Sequence, residues 1–487
     1  MWLPSAGTYW TLALFLVLCA IAGVFLKNTQ EPDGGLPAYI WLCLIYGGLI
    51  AGIGLIHALG LFTVPADMPI NAEGVTAFKS FKMEVYFTCI YLFFPVMLLG
   101  QYALARKLSM QVIIRWIVLA WVISLGVLLY QRFVDHSLLT FPPWNRMSRY
   151  AGLASDPNAF ALTTFLLLPL LIIGIRMETG RLVKFAYMLL ALLLIPAECF
   201  TGNRTAAGGI CLFVILIPLM MACVNSHWSF RWRIAAGITP MLVLGLLLIV
   251  APMLQDVFRE FGGLGVRIAQ SMQKMSVGGI AGLFTQGEQR GWLYGLAWVL
   301  GISSFWSGWG PGGWYREFSN LVYQQTGDII HAFDSALNHY LLLMTDFGLP
   351  VMLLNLGLIL MPVILGLFVF RQLEDVKLRL AVVMLIVANC IFLLMIVTVP
   401  PSYFLDVVWL WTAQLASLLI IAERHDVRIR LPRHRVCKAG LGILAVAMTL
   451  MVFAGSYEAA FGDKYGYAAR AHAPWWMSDR GKQDRDR

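Results

Sequence analysis

Two apolar stretches, "VKFAYMLLALLLI" (183–195) and "ICLFVILIPLMMACV" (210–224), decide the fold because only a short turn separates them. Each stretch, with its neighbours, reaches the roughly 20 residues that a helix needs to cross a hydrocarbon core of about 30 Å. Their apolar residues run continuously instead of alternating, which predicts helices and not barrel strands. The turn "PAECFTGNRTAAGG" (196–209) carries Glu198 and Arg204, and charges near a membrane need pairing, hydration or a functional site.

The composition extends this hairpin to the whole chain. Of its 487 residues, 60% are hydrophobic and 13% are charged, whereas ordinary globular domains are about 45–50% apolar and about 25% charged. Apolar runs recur along the sequence, so we predict an all-α fold, a polytopic membrane helical bundle of about 12 transmembrane helices with one large periplasmic loop. The predicted spans are 7–26, 37–61, 83–105, 112–131, 158–177, 183–199, 205–223, 234–253, 349–370, 379–398, 406–422 and 439–455.

The charged residues set the predicted orientation. Basic residues gather in short connections that alternate along the chain, such as 176–184 and 371–379, and this pattern is typical of cytoplasmic loops. The net charge of +9 therefore indicates membrane topology and not nucleic-acid binding. The opposite connections are predicted to be external. The longest of them, 254–348, is rich in aromatic residues and glycine, so we expect a folded, functional loop.

These boundaries divide the chain into four parts. We predict N-terminal transmembrane helices at 1–253, the large periplasmic loop at 254–348, C-terminal transmembrane helices at 349–455 and a polar tail at 456–487. The eight cysteines lie mostly inside apolar runs and lack the spacing of metal ligands or of a disulfide framework. We interpret them as small apolar packing residues. No acidic pair has the pattern of a metal site, and we predict no metal and no cofactor.

Two arginines on the predicted external side are candidates for binding an anion. Arg204 precedes the helix start "TAAGGI", and a guanidinium beside free N-terminal amides suits a phosphate. The alternative for Arg204 is an ion pair with Glu198, or contact with lipid phosphates. Arg149 breaks the charge bias of the external side, so its partner is either an anionic substrate or lipid headgroups. Asp156 precedes Pro157, which favours a helix N-cap over chemistry.

The external loop and its end carry further polar candidates. In "EQRGWLYGLAWVLGI" (288–302), Arg290 leads a helix-like aromatic segment, and the glycines of "WSGWGPGGWY" (306–315) let the backbone approach another group closely. The stretch "HAFDSALNHYLLLMTDFGLP" (331–350) places several histidines and carboxylates before a predicted span. Such groups suit a general base. Hydrogen bonding at a helix end explains any one of them, but for the whole cluster we favour function.

Taken in their order along the chain, the four stretches around Arg149, Arg204, Arg290 and Asn338 resemble the O-antigen ligase and O-antigen polymerase superfamily. Its members are membrane glycosyltransferases that use polyprenyl-diphosphate-linked glycans. "RYAGLASDPNAFA" (149–161) resembles its Arg–x–x–Gly and Pro–Asn–x–x–Ala element, and "TGNRTA" (201–206) resembles its arginine-containing turn. The stretch 288–314 is similar to its periplasmic loop of Arg, Trp and spaced glycines. The stretch 337–350 is similar to the His–Asn element that ends that loop.

The resemblance implies transfer of a polyprenyl-diphosphate-linked oligosaccharide to a hydroxyl of a glycan acceptor. The active site would face the periplasm in the bacterial inner (cytoplasmic) membrane. Fixed arginines stabilise the departing diphosphate well in a water-poor site. We assign that role to Arg204 and Arg290, with Arg149 in support.

The remaining site predictions concern the acceptor. His339 is the first choice for a base that activates the acceptor hydroxyl, with His331 and Asp334 as alternates. The flat rings of three tryptophans suit sugars, although anchoring at the membrane interface explains them about as well. The weak sugar-binding candidates are Trp292, Trp309, Trp314 and Asn338.

One departure from the resemblance bears on the reaction. Ligases of the superfamily have a histidine directly before the asparagine, whereas here Leu337 precedes Asn338 and His339 follows it. This favours a polymerase of repeat units, with a ligase acting on lipid A-core as the alternative. A transporter or flippase of lipid-linked glycans and a non-catalytic membrane partner are further alternatives. The predicted partners are the lipid-linked donor, the glycan acceptor, membrane lipid, and polysaccharide export or chain-length proteins.

Overall fold

The structure is a computed structural model, and it consists mainly of helices. It describes residues 36–58, 77–139, 149–154, 156–225, 229–250, 289–314, 317–318, 338–425, 430–431 and 446. In chain order the helices are α1 Ala38–Ala58, α2 Ala77–Lys107, α3 Met110–Phe133, α4 Pro157–Met177, α5 Arg181–Thr201, α6 Arg204–Val224, α7 Phe230–Val250, α8 Gln289–Ser303, α9 His339–Phe370, α10 Val376–Met395 and α11 Leu405–Arg424. A two-residue antiparallel pair joins β1, Leu36–Pro37, to β2, Arg430–Leu431.

Within the described residues, nine helices are long and apolar enough to cross a membrane. They are α1 to α6 and α9 to α11, and α7 overlaps the predicted span 234–253. The prediction of a polytopic helical membrane protein is therefore confirmed. The count of 12 stays a prediction, because spans 7–26 and 439–455 lie outside the described residues, apart from Val446.

The largest difference from the predicted spans concerns α9. We predicted a span at 349–370, but the helix begins ten residues earlier and has 32 residues. A straight helix of that length would extend about 48 Å, well beyond a hydrocarbon core of about 30 Å. Gly348 breaks it, with φ 83° and ψ 169°. The segment after the break matches the predicted span, and the segment before it belongs to the predicted loop.

Helices α4 and α11 lie at the centre of the bundle. About 83% of the most apolar window of α4 and 78% of that of α11 is buried, against 22% for α5. Helix α11 packs against α2, α4 and α9, and α10 packs against α4 and α6. These contacts form one continuous apolar core.

The helix ends define two ends of the bundle. At one, which we call the basic end, Arg115 donates two hydrogen bonds of 2.7 Å to the carboxylate oxygens of Glu178, and these bonds lower the pKa of Glu178. Glu423 forms an ion pair of 3.2 Å with Arg106 at the same end. At the other, which we call the site end, α3, α5 and α10 end, and α4, α6, α9 and α11 begin. The polar candidates in the described residues lie there.

Candidate functional site

The turn between α5 and α6 holds Arg204 at a helix start. Gly202 ends α5 in the left-handed conformation, with φ 67°, which glycine adopts at little cost. Asn203 then caps α6, because its side-chain oxygen accepts a hydrogen bond of 2.9 Å from the amide of Ala206. Arg204 is the first residue of α6 and is half-buried. The predicted helix N-terminus beside Arg204 is confirmed.

Arg149 joins three parts of the site end. Its side chain is 4% exposed. Its Nε donates to the carbonyl of Thr201 at 2.7 Å, and its Nη2 donates to the Asn158 side-chain oxygen at 2.8 Å. The same oxygen accepts a hydrogen bond of 2.8 Å from the side-chain amide nitrogen of Asn203. Arg149 therefore stands beside the start of α6, where it fixes the turn that carries Arg204.

Glu198, one turn before Gly202, is buried and lies near Arg149. It is 3% exposed, and its Oε1 accepts a bond of 3.2 Å from the Thr201 hydroxyl. Among the described residues, its Oε2 has no hydrogen-bond donor. Glu198 lies near enough to Arg149 for a favourable electrostatic interaction, whereas the ion pair with Arg204, which was one alternative from the sequence, is not formed by Glu198 in the described residues.

Asp156 begins α4 as its N-cap, as the sequence indicated. Its side chain accepts a hydrogen bond of 2.6 Å from the backbone amide of Asn158, and Pro157 occupies the first turn of α4. The cap positions Asn158, whose side-chain oxygen is the shared acceptor for Arg149 and Asn203.

A turn after α10, residues 396–398, joins three of the sequence motifs. Thr398 shares a hydrogen bond of 3.0 Å with Thr205 of α6. The carbonyl of Val397 accepts a bond of 3.1 Å from the Tyr294 hydroxyl of α8. The carbonyl of Ile396 accepts a bond of 3.0 Å from the backbone amide of His339 at the start of α9. The starts of α6 and α9 and the middle of α8 therefore meet at one turn.

His339 lies in a buried polar chain of hydrogen bonds. It is 3% exposed, and its Nε2 is 3.1 Å from the side-chain oxygen of Asn355. The Asn355 amide nitrogen donates to the Tyr46 hydroxyl at 3.0 Å. On the other side of the ring, Nδ1 is 3.4 Å from the Ser402 hydroxyl.

A small cavity adjoins this chain. It is lined by His339, Asn355, Ser402 and Tyr46, and by Tyr91, Trp411 and apolar neighbours. Its volume of ≈ 10 Å³ is close to the roughly 10–15 Å³ that one water molecule needs. A hydroxyl group fits this space, whereas a sugar ring does not.

Asn338 has a structural role in the described conformation. It is the N-cap of α9, and its side-chain oxygen accepts bonds of 3.0 and 3.1 Å from the amides of Tyr340 and Leu341. It is 8% exposed. The side-chain oxygen offered to a sugar in our prediction is therefore already used by the protein.

The glycine-rich turn packs against the protein's own helices. Gly308, Gly310 and Gly312 all have positive φ, and a Cβ on Gly310 would lie 2.6 Å from the His57 ring. A Cβ on Gly308 would overlap the backbone of Asp346. The close approach that the glycines predicted is real, but the group approached is the bundle.

The tryptophans of this turn, which are weak sugar-binding candidates, are buried. Trp309 is 3% exposed, and its Nε1 donates to the carbonyl of Leu300 at 2.8 Å. Trp314 is fully buried. Neither ring offers a face to a ligand, so both serve as packing residues in this conformation.

Asp346 ties the glycine-rich turn to α9. Its carboxylate is fully buried and accepts bonds from the Tyr91 hydroxyl at 2.8 Å and from the amides of Trp314 at 2.9 Å and Gly312 at 3.3 Å. Three donors on one carboxylate explain how a charge is held inside the bundle. Of the polar residues before the predicted span, Asp346 thus has a structural explanation.

The other predicted residues are described in part or lie outside the described residues. Arg290 and Trp292 belong to α8, but their side chains are outside the description. Arg290 is four residues, about one turn, before Tyr294, which contacts the turn 396–398. His331 and Asp334 lie outside the described residues. Their predicted roles stay predictions.

Sequence reasoning missed Ser402, Asn355 and the turn 396–398. The turn contacts α8 and α9 through backbone carbonyls, which leave no signature in side-chain identity. Asn355 lies inside an apolar run, where a lone polar residue needs a partner, so it carried a usable signal. The only sequence sign of Ser402 is the preceding Pro400–Pro401 pair, which predicts a rigid turn.

No protein-family profile and no curated protein matches this chain.

Proposed function

We propose that the chain is a membrane glycosyltransferase that transfers a polyprenyl-diphosphate-linked oligosaccharide to a hydroxyl of a glycan acceptor. The favoured reaction joins repeat units of an exopolysaccharide or O-antigen at the periplasmic face of the bacterial inner membrane. The donor and acceptor are both lipid-linked in this reaction. Export or chain-length proteins are the expected partners.

The observation that carries this proposal is the convergence of four separate sequence stretches at the site end. The stretches around Arg149 and Arg204 meet through Asn158 and Asn203. Those around Tyr294 and His339 meet Thr205, the neighbour of Arg204, at the turn 396–398. Residues far apart in sequence thus form one cluster of arginine, asparagine, threonine and histidine, which supports a shared site.

The chemistry of the cluster suits a diphosphate leaving group. In the proposed reaction Arg204 binds the diphosphate at the N-terminus of α6, where the helix dipole favours an anion. Arg290, the second residue of α8, is the second residue that we propose to bind the diphosphate. Arg149 positions the turn through its bonds to Thr201 and Asn158, and His339 accepts the proton of the acceptor hydroxyl. A transporter would instead place its charges near the middle of the bilayer, whereas Arg149 and Arg204 lie at helix ends.

Substitution of Arg204 tests the proposal. Arg204→Ala should abolish long glycan chains on gels, and Arg204→Lys should also fail because lysine lacks the bidentate fork. Arg176→Lys is the matched control, since Arg176 is an exposed residue at the basic end. With normal protein levels, wild-type chain length and amount in both Arg204 variants would refute the proposed function.

Polymerase and ligase are separated by the product. Loss of a polymerase leaves single repeat units attached to their acceptor, whereas loss of a ligase leaves full-length glycan on the polyprenyl carrier. Leu337 in place of the ligase histidine favours the first result in the Arg204→Ala strain.

A further inference from the structure

We propose that Ser402 is a catalytic residue that relays the acceptor proton to Nδ1 of His339, and that Asn355 and Tyr46 are positioning residues that fix the tautomer of His339. The inference rests on the proposed function, because it specifies how its base works. Sequence reasoning gave none of these three residues a role.

The hydrogen bonds around His339 select one tautomer. The Asn355 amide nitrogen donates to the Tyr46 hydroxyl at 3.0 Å, so the Asn355 oxygen is the atom turned to His339. That oxygen can only accept, and it lies 3.1 Å from Nε2. The proton of neutral His339 therefore sits on Nε2. Nδ1 then has a lone pair, which faces the Ser402 hydroxyl at 3.4 Å.

Burial of His339 explains why a relay is needed. The ring is 3% exposed and the adjoining cavity holds about one water molecule, so an acceptor sugar cannot reach Nδ1 directly. Ser402 also lines this cavity and lies in the turn before α11 at the site end. The separation of 3.4 Å is long for a hydrogen bond, and such catalytic contacts shorten in substrate complexes.

Local backbone structure holds the Ser402 hydroxyl in place. Pro401, Ser402 and Tyr403 form a 3-10 turn, closed by a bond of 2.9 Å from the Phe404 amide to the Pro401 carbonyl. The fixed φ of two successive prolines, Pro400 and Pro401, limits the alternatives of this turn. Few other conformations are open to Ser402, which is 7% exposed.

No competing charge faces the cavity within the described residues. Its titratable side chains besides His339 are the phenols of Tyr46 from α1 and Tyr91 from α2. The Asp346 carboxylate is bonded to Tyr91 and does not line the cavity. The proton acceptor of the relay is therefore the imidazole.

The acceptor hydroxyl gives its proton to Ser402 Oγ, while the Ser402 proton moves to Nδ1 of His339. The acceptor oxygen forms the new bond to the anomeric carbon, the bond from that carbon to the diphosphate oxygen breaks, and its electron pair leaves on the diphosphate. The imidazolium keeps the proton on Nε2, which donates a hydrogen bond to the Asn355 oxygen. It later returns the other proton, from Nδ1, to the leaving diphosphate or to water.

Nitrogen-15 NMR of histidine-labelled, full-length protein in detergent tests the tautomer without any glycan. Subtracting the spectrum of His339→Gln from that of wild type isolates the His339 signals, which should place the proton on Nε2. Asn355→Leu should remove this preference, whereas Asn389→Leu, which alters a buried asparagine bonded to Trp411, should retain it. A proton on Nδ1 in the wild type would overturn the relay.

Polymerisation in isolated membranes tests Ser402. The lipid-linked donor is supplied by adding increasing amounts of membranes from a strain of the same organism that lacks this chain. Ser402→Ala should lower the maximal rate by about tenfold or more, since proton transfer contributes roughly 10²–10⁴-fold, without changing the half-saturating amount of donor membranes. Ser402→Thr, which keeps a hydroxyl, should retain most of the rate. Ser417→Ala is the control, because the Ser417 hydroxyl bonds only within α11 among the described residues.

The outcomes separate this inference from the proposed function. Equal rates for Ser402→Ala and Ser417→Ala, where Arg204→Ala is inactive, would overturn the relay and leave the proposed function standing. Wild-type rates in Arg204→Ala would overturn the proposed function and the relay with it. A fall in rate for Ser402→Ala that Ser402→Thr restores supports the relay.

Discussion

Replacement of Asp346 should remove the hydrogen bonds that join the glycine-rich turn to α9 and lower the free energy of unfolding of the protein. Asp346→Ala leaves three buried donors without their acceptor, namely the hydroxyl of Tyr91 and the amides of Gly312 and Trp314. Each orphaned donor costs about 1–3 kcal/mol, so we expect a loss of at least about 3 kcal/mol. Asp346→Asn keeps one acceptor oxygen and should lose less.

Thermal unfolding of the purified protein in detergent, followed by tryptophan fluorescence, measures this loss. Tyr91→Phe removes one bond and should cost about 1.5 kcal/mol. Because the two residues share a bond, the double variant Tyr91→Phe with Asp346→Ala should be less destabilised than the sum of the single variants. An Asp346→Ala protein with wild-type unfolding but no activity would refute this reasoning and make Asp346 a reactive group.

Three further predictions concern single positions. Asn203→Ala removes the cap of α6 and should lower the free energy of unfolding by about 1 kcal/mol, measured by thermal unfolding. Gly308→Ala forces a side chain into a positive-φ position, costing about 1–2 kcal/mol before any overlap, whereas Gly208→Ala, where no atom lies within 4 Å of the added carbon, should stabilise α6 by about 0.5–1 kcal/mol. Arg115 lowers the pKa of Glu178, so the stability that Glu178 adds is complete above its unfolded-state pKa near 4.3. This stability disappears as the pH falls through the lowered folded-state pKa. The difference in the free energy of unfolding between wild type and Glu178→Gln should therefore narrow over that pH range.

Much of the helical framework could be predicted from the apolar runs because each span carries its own signal. The hairpin around Arg204, the N-cap at Asp156 and the helix after Arg290 all follow from local patterns. The helical segment before the break in α9 could not be predicted, since "TDFGLPVM" (345–352) contains the loop-forming residues Asp, Gly and Pro and the segment depends on contacts with α8. Gly348 lies where an added Cβ would be 2.5 Å from the Trp306 carbonyl.

The sequence indicated which residues gather at the candidate site better than it indicated their burial and their hydrogen-bond partners. Arg149 and Arg204 lie together at the site end, as their motifs suggested. Sugar binding by Trp309 and Trp314 stays a prediction, and their burial was not foreseen because it depends on which helix the glycine-rich turn packs against. His339 was found, but its partners Asn355 and Ser402 lie 16 and 63 residues away in sequence, and no local pattern joins them.

The break at Gly348 also determines which segments can be exchanged in a chimeric protein. The amide of Leu349 bonds to the Phe305 carbonyl, and the carbonyl of Thr345 accepts from the Trp309 amide, both at 2.8 Å. Backbone groups freed by a broken membrane helix must find partners within the protein. A graft of residues 289–314 from another chain would therefore fail unless 339–349 moved with it, so the two form one unit for segment exchange.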